Sequence, residues 1–237
     1  MKIRPLPEID LARIAPLPSE AKLKELEIFR FGHPPLSYNP MRSTLSDILD
    51  VEAGMFDLGR VPWHKVAETI ARRSRNDGEE KANLQIAEGL YRFAEARGLR
   101  GRKHDFLPLA LGVGHRVAYW HSLVLIDGGI PFVPFFDPRR SRGLTPEARR
   151  FVFSMMHERI RVADPDFSDV RLCIFQFARV NDGPREPRLY HDEGVALFGF
   201  DELDEMVRET YDLWREVCEE RGKEDRRRGS GSRGGLI

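Results

Sequence analysis

The residues best equipped for chemistry in this 237-residue sequence are a few scattered acids and one run of arginines. Asp137-Pro138-Arg139 sets a carboxylate two positions before a cation, and Asp127 and Glu88 are further carboxylates on nearby segments. Carboxylates gathered around Mg²⁺, with a basic side chain beside the attacking water, would carry out metal-dependent phosphodiester hydrolysis. Spacing argues against a shared metal. Asp127 stands in an Asp-Gly-Gly turn and Asp137 at the far end of the strand that follows, roughly 25–30 Å away at ~3.3 Å per residue. The base position is held by Arg139, whose guanidinium does not readily give up a proton. Glu88 is a single carboxylate at helical spacing, the usual pattern of a solvated face. If the chain were a nuclease, Asp137, Arg139 and Glu88 would form the site, with Mg²⁺ as its cofactor. If it is a binding protein, no cofactor, metal or catalytic residue is expected.

The arginine run is Arg139-Arg140-Ser141-Arg142-Gly143, directly before Leu144-Thr145-Pro146-Glu147, which has the Thr–Pro–acid order of a helix start. Arginines beside a helix N-terminus favour an anion: phosphate, a nucleic-acid backbone or an acidic protein. The competing expectation is internal pairing with Glu147 and Asp137. His104, His115, His121, His157 and His191 lack metal-ligand spacing, and Met156-His157-Glu158 has Arg161 where a zinc helix would need a second His. Cys173 sits in an apolar run and Cys218 in a charged segment, which predicts reduced thiols and a cytoplasmic protein. Lys plus Arg and Asp plus Glu both total 38, so net charge points to no polyanionic partner. The longest apolar stretches fall short of the ~20 residues needed to cross a bilayer, so no membrane is expected.

Around these residues the patterning predicts three regions. Residues 1–75 read as a proline-punctuated extended arm (1–18) and short helices, among them Ser19–Phe31, Leu45–Leu49 and Trp63–Arg73. Residues 76–221 read as an α/β core, and 222–237 as a disordered basic tail. Within the core the expected order is a helix over 77–97, strands Phe106–Val113, Arg116–Ile126 and Ile130–Phe136, and a helix over 144–162. Strands Val170–Phe177, Arg188–His191 and Val195–Phe198 follow, then a helix over Asp201–Arg221. The fold class is therefore α/β (α+β). Its αβββαβ order resembles the restriction-endonuclease-like PD-(D/E)xK core, with an N-terminal helical extension and a C-terminal helix.

Several stretches carry a second resemblance. Ile9-Asp-Leu-Ala-Arg-Ile14, Pro34-Pro-Leu-Ser-Tyr-Asn-Pro40, Asp137-Pro-Arg-Arg-Ser-Arg142, Phe151-Val-Phe-Ser-Met-Met-His157, Arg161-Val-Ala-Asp-Pro-Asp-Phe167 and Glu209-Thr-Tyr-Asp-Leu-Trp-Arg215 together resemble the SocB-like toxin family of type VI toxin–antitoxin systems. That resemblance implies inhibition of DNA replication by binding the β sliding clamp, and an antitoxin that acts as a proteolytic adaptor. It also implies a short clamp-binding peptide, whose general form is a Gln followed by a Leu and a Phe that fill an apolar pocket. Val195-Ala196-Leu197-Phe198 has the aliphatic-x-Leu-Phe portion, with Gly194 at the Gln position. Lys81–Ile86 has the central Leu84 but Lys81 and Ile86 at the ends, inside an amphipathic helix. The expected contacts are Val195, Leu197 and Phe198, with Arg139, Arg140 and Arg142 as a second surface for an acidic partner or a nucleic-acid backbone.

Overall fold

The computed structural model describes residues 4–29, 37–52, 59–112, 114–178 and 181–230. The first half supplies α1 (Glu8–Ile14), α2 (Ser19–Ile28), α3 (Asn39–Arg42), α4 (Leu45–Ile48), β1 (Val51–Glu52), α5 (Trp63–Arg73) and α6 (Asp77–Ala96). Strands β2 (Arg100–Lys103), β3 (Leu109–Leu111), β4 (His115–Val117), β5 (Leu123–Asp127) and β6 (Ile130–Asp137) follow. The chain closes with α7 (Pro146–Met156), β7 (Arg171–Phe177), β8 (Pro187–His191) and α8 (Phe200–Ser230).

Six strands form one sheet in the order β1-β2-β5-β6-β7-β8. Strands β2, β5 and β6 make an antiparallel meander; β7 then returns parallel to β6 after crossing over through α7. The helix–meander–helix–strand order foreseen from the sequence is present, and the protein is α+β as expected. The central pair is apolar on both faces, as parallel strands covered by helices on both sides must be. Val133, Phe135, Leu172 and Ile174 face one core, with Leu11, Phe151, Met155 and Trp214. Phe132, Phe136, Cys173 and Phe175 alternate onto the other, with Met41, Ile70, Ile86 and Leu90. The result is three layers: α1, α2, α7 and α8 on one side of the sheet, and α3 to α6 on the other.

Several expected elements differ. Residues 1–18 are not an extended arm throughout, because Glu8–Ile14 is helical. Its prolines flank the helix rather than interrupt it, with Pro7 at the N-cap and Pro16 beyond the end, and Leu11, Ala12 and Ile14 are buried. The first meander strand is Arg100-Gly-Arg-Lys103, which has no apolar pattern to announce it. A methyl at Gly101 would lie 2.8 Å from the Leu125 side chain, so the close strand contact depends on glycine. The expected strands over 106–126 divide instead into the separate hairpin β3–β4 and the sheet strand β5. Residues 195–198 are a loop rather than a strand. Helix α8 continues past the expected end at Arg221, through Lys, Glu and Arg residues that favour helix. The tail residues 231–237 and Pro34–Leu36 lie outside the described residues.

Candidate functional site

Asp137 closes β6 and is 1% exposed. Its Oδ2 accepts from the Leu144 N–H at 2.8 Å and from the Gln176 amide at 2.8 Å. Its Oδ1 accepts from the Arg139 N–H at 3.3 Å. Arg149 donates to Gln176 Oε1 at 3.0 Å and so orients that amide. Gly143 lies directly over the carboxylate, and a methyl there would meet Asp137 Oδ2 at 2.8 Å. This aspartate therefore pins both ends of the loop that leads into α7, whose first turn is capped by Thr145 accepting from the Ala148 N–H.

Arg139 turns away from Asp137 and holds Asp10 of α1 through two 2.7 Å bonds. Arg185, 2% exposed, lies under the same loop and donates to the carbonyls of Pro138 and Ala178 at 3.0 Å and of Arg139 and Phe177 at 3.2 Å. Burial lowers its pKa, and the ring of carbonyls keeps the buried cation satisfied. The third residue of the nuclease reading, Glu88, pairs with Arg92 on its own helix. Asp127 pairs with Arg97 at the opposite end of β6 from Asp137. Each of these acids is committed to a different local partner, and among the described residues no three His, Cys, Asp or Glu side chains converge as a metal site.

On the surface the loop presents Arg140 and Arg142, both exposed, with Arg142 in the left-handed backbone region at φ 55°. Two clefts flank it. One, of about 740 Å³, brings in Arg4 and Arg42; the other, of about 390 Å³, brings in Arg188 and Tyr190. Arg4, Arg42 and Arg188 had no sequence signal, because only the fold gathers residues so far apart along the chain.

The Val195–Phe198 segment lies in the loop between β8 and α8, held against α7. Phe198 is 9% exposed; its N–H bonds the buried Ser154 hydroxyl at 2.9 Å and the Arg150 guanidinium covers its ring at 3.6 Å. Arg150 also donates to the Ala196 carbonyl. Val195 and Leu197 are half-buried against the same core. The other considered segment, Lys81–Ile86, is a turn of α6 in which Ile86 is fully buried, Asn83 receives the Met41 N–H and Lys81 pairs with Asp182. Leu26-Glu27-Ile28-Phe29 has the same aliphatic-x-aliphatic-Phe shape. There Ile28 is 56% exposed, while Phe29 packs edge-on against Trp214 at 5.7 Å.

Comparison with known proteins adds what the geometry does not contain. The model of the sliding clamp-binding bacterial toxin SocB matches residues 9–224. The chain belongs to the SocB family. The DNA replication inhibitor toxin SocB of Caulobacter vibrioides is 36% identical over 231 residues, spanning 98% of this chain and 97% of that protein. No solved structure matches the chain. Three of the six stretches that carried the SocB resemblance map onto the framework: Ile9–Ile14 lies in α1, Phe151–Met156 in α7 and Glu209–Arg215 in α8. These three lie in the helical layer beside the core, whereas Asp137–Arg142 and Arg161–Phe167 reach the surface. No helix among the described residues is long and apolar enough to cross a membrane.

Proposed function

We propose that this chain is a non-enzymatic toxin that inhibits DNA replication by binding the sliding clamp. The observation that carries this reading is the family match over residues 9–224, with 36% identity along 98% of the chain to a protein named for that inhibition. An antitoxin that acts as a proteolytic adaptor, and action in the cytoplasm, belong to the same reading.

In this reading Val195–Phe198 makes the contact. Leu197 is half-buried at the surface, whereas Phe198 must leave its seat beneath Arg150 before it can fill a pocket on a partner. Binding through this loop therefore includes breaking the Phe198–Ser154 hydrogen bond and the Arg150 cap. Asp137 and Arg139 are held by partners around the loop, and Glu88 pairs with Arg92 on the surface of α6, so the three do not converge as the metal-dependent nuclease reading needs.

The test is biolayer interferometry of the full chain on its host's clamp, with Leu197→Ala, Leu197→Ala/Phe198→Ala and Ile28→Ala compared. Phe198 is part of the core, so its removal costs stability, about 3 kcal/mol for a buried Phe truncation. Thermal melts therefore accompany each variant, and Leu197→Ala alone serves as the milder probe. Micromolar binding that both Leu197 variants weaken and Ile28→Ala leaves intact supports the assignment. Loss in Ile28→Ala alone moves the contact to the end of α2, and no binding by the unaltered chain at tens of micromolar overturns the proposal.

A further inference from the structure

The two clefts beside the 138–143 loop share a composition unlike the rest of the molecule. Their linings together include six arginines (Arg4, Arg42, Arg139, Arg140, Arg142 and Arg188) and one acid, Glu8, in a chain whose acids and bases are equal in number. Arg139 is spent on Asp10, and the Asp137 carboxylate beneath the loop is taken up by hydrogen-bond donors. The other five arginines are all exposed and come from four places in the chain: the N-terminal segment, α3, the loop itself and β8. Glu8 forms a 3.9 Å ion pair with Arg42, and Asp182 lies within the field of Arg140, so the surface keeps an excess of arginine rather than isolated charges.

We propose that the paired clefts are a seat for the phosphodiester backbone of nucleic acid. A polymer with a charge on every unit is matched by cations spread along a surface, and here they occur on both sides of one loop. Arginine supplies all of the positive charge, and its planar fork matches phosphate oxygens two at a time. Each cleft also carries a tyrosine, Tyr38 in one and Tyr190 in the other, and neutral donors such as Ser37, Asn39 and Ser141. Both tyrosines pack against the cores, Tyr190 beneath the Arg149 guanidinium at 3.9 Å, so the arginines and neutral donors address the phosphates and sugars rather than stacking bases. An acidic protein partner would need apolar anchor sites as well. The large apolar side chains in the linings, Ile9, Leu144 and Phe177, are instead packed against the two cores. The proposal does not rest on the clamp contact, so either can fail alone.

The test measures fluorescence anisotropy of a labelled oligothymidylate and a duplex of matched length, titrated with the full chain across a salt series. Arg42→Ser/Arg142→Ser probes one cleft and Arg140→Ser/Arg188→Ser the other. Arg72→Ser/Arg73→Ser on α5 removes the same charge elsewhere. Each cleft variant is expected to weaken binding about tenfold and, for the single strand, to flatten the salt dependence by ~0.7 per lost contact, while the α5 variant changes affinity less than about twofold. Melting curves confirm that the variants are folded. Loss in either cleft variant, with either probe, supports the seat, and the preferred probe says whether single strand or duplex fits it. Absence of binding to both probes at low salt overturns the proposal, as does equal weakening in the α5 variant. Capture of polyglutamate with both nucleic-acid probes left free would assign the clefts to an acidic protein and overturn it too.

Discussion

The underside and the outer face of the 138–143 loop are made from neighbouring residues yet do opposite work. Beneath, Asp137, Gln176, Arg139, Asp10 and Arg185 form a set in which each charge meets its partners inside the protein. Outside, Arg140 and Arg142 stand exposed beside Arg4, Arg42 and Arg188. The lesson is that an acid followed by a cation carries no meaning until it is known which neighbours satisfy it. Asp137-Pro138-Arg139 resembles catalytic apparatus in one dimension and is a fastening in three. The underside should be sensitive to stability measurements and silent in binding, and the outer face the reverse.

The sharpest way to break that contrast is Asp137→Ala. It strands the buried Leu144 N–H and takes one of two acceptors from the Gln176 amide, which keeps the Leu144 carbonyl, so the free energy of unfolding should drop by about 3 kcal/mol in denaturant titration. A well-folded Asp137→Ala protein of unchanged stability would return this residue to the list of candidate catalysts. Arg139→Ala comes next. It leaves the Asp10 carboxylate, 8% exposed, with only the longer 3.8 Å pair to Arg13, and the expected loss is about 2 kcal/mol. Asp10→Ala/Arg139→Ala should cost less than the sum of the two single changes, since removing both leaves no lone charge.

His121, beside β6, extends the contrast to pH. Its ring packs on Phe136 at 4.9 Å, and burial, assisted by the Arg42 charge, pushes its pKa down to about 3. The folded protein therefore stays unprotonated there while the unfolded chain takes up a proton below about 6.5. Stability from this group is complete above that value and falls as pH drops from about 6.5 towards 3, with about 2 kcal/mol lost by pH 5. His121→Phe should flatten that part of the pH–stability curve. A curve of unchanged steepness would show that the ring is not held neutral. The smallest effect belongs to the outer face. Arg42→Ser/Arg142→Ser should move stability by less than about 0.5 kcal/mol, as for surface changes that remove no buried partner.

The fold was legible where patterning and caps agree. The Thr145–Pro146 start of α7 is visible in the sequence and its cap forms as expected, and the helix expected over 77–97 is there, closed at its start by Asn76 accepting from the Glu79 N–H. The unbroken apolar run Leu172–Phe175 is a covered strand, as its composition requires. Strand β2 was not legible, because Arg-Gly-Arg-Lys owes its place to β1 and β5 on either side rather than to any burial pattern of its own. Helix α1 was hidden by its prolines. At the candidate site, the arginine loop could be read directly, whereas the arginines that complete its clefts could not. Nor could Phe198 be seen to lie beneath Arg150, because a Phe that anchors a loop and a Phe that fills a partner's pocket have the same letter and the same neighbours in sequence.

The segment before α1 and helix α2 are both fastened to α8, far along the sequence. Trp214 of α8 donates to the Arg4 carbonyl at 3.1 Å, Lys22 of α2 pairs with Glu209, and Arg221 reaches the Leu26 and Glu27 carbonyls. The early helices thus wait for α8. On the ribosome, Leu11, Ile14 and Leu26 have no α8 surface to cover them until α8 itself has emerged. Closure is a late, long-range step of the sort that slows folding. A chain interrupted before α8 would leave that apolar layer open to water, a form that quality control can distinguish from the finished protein.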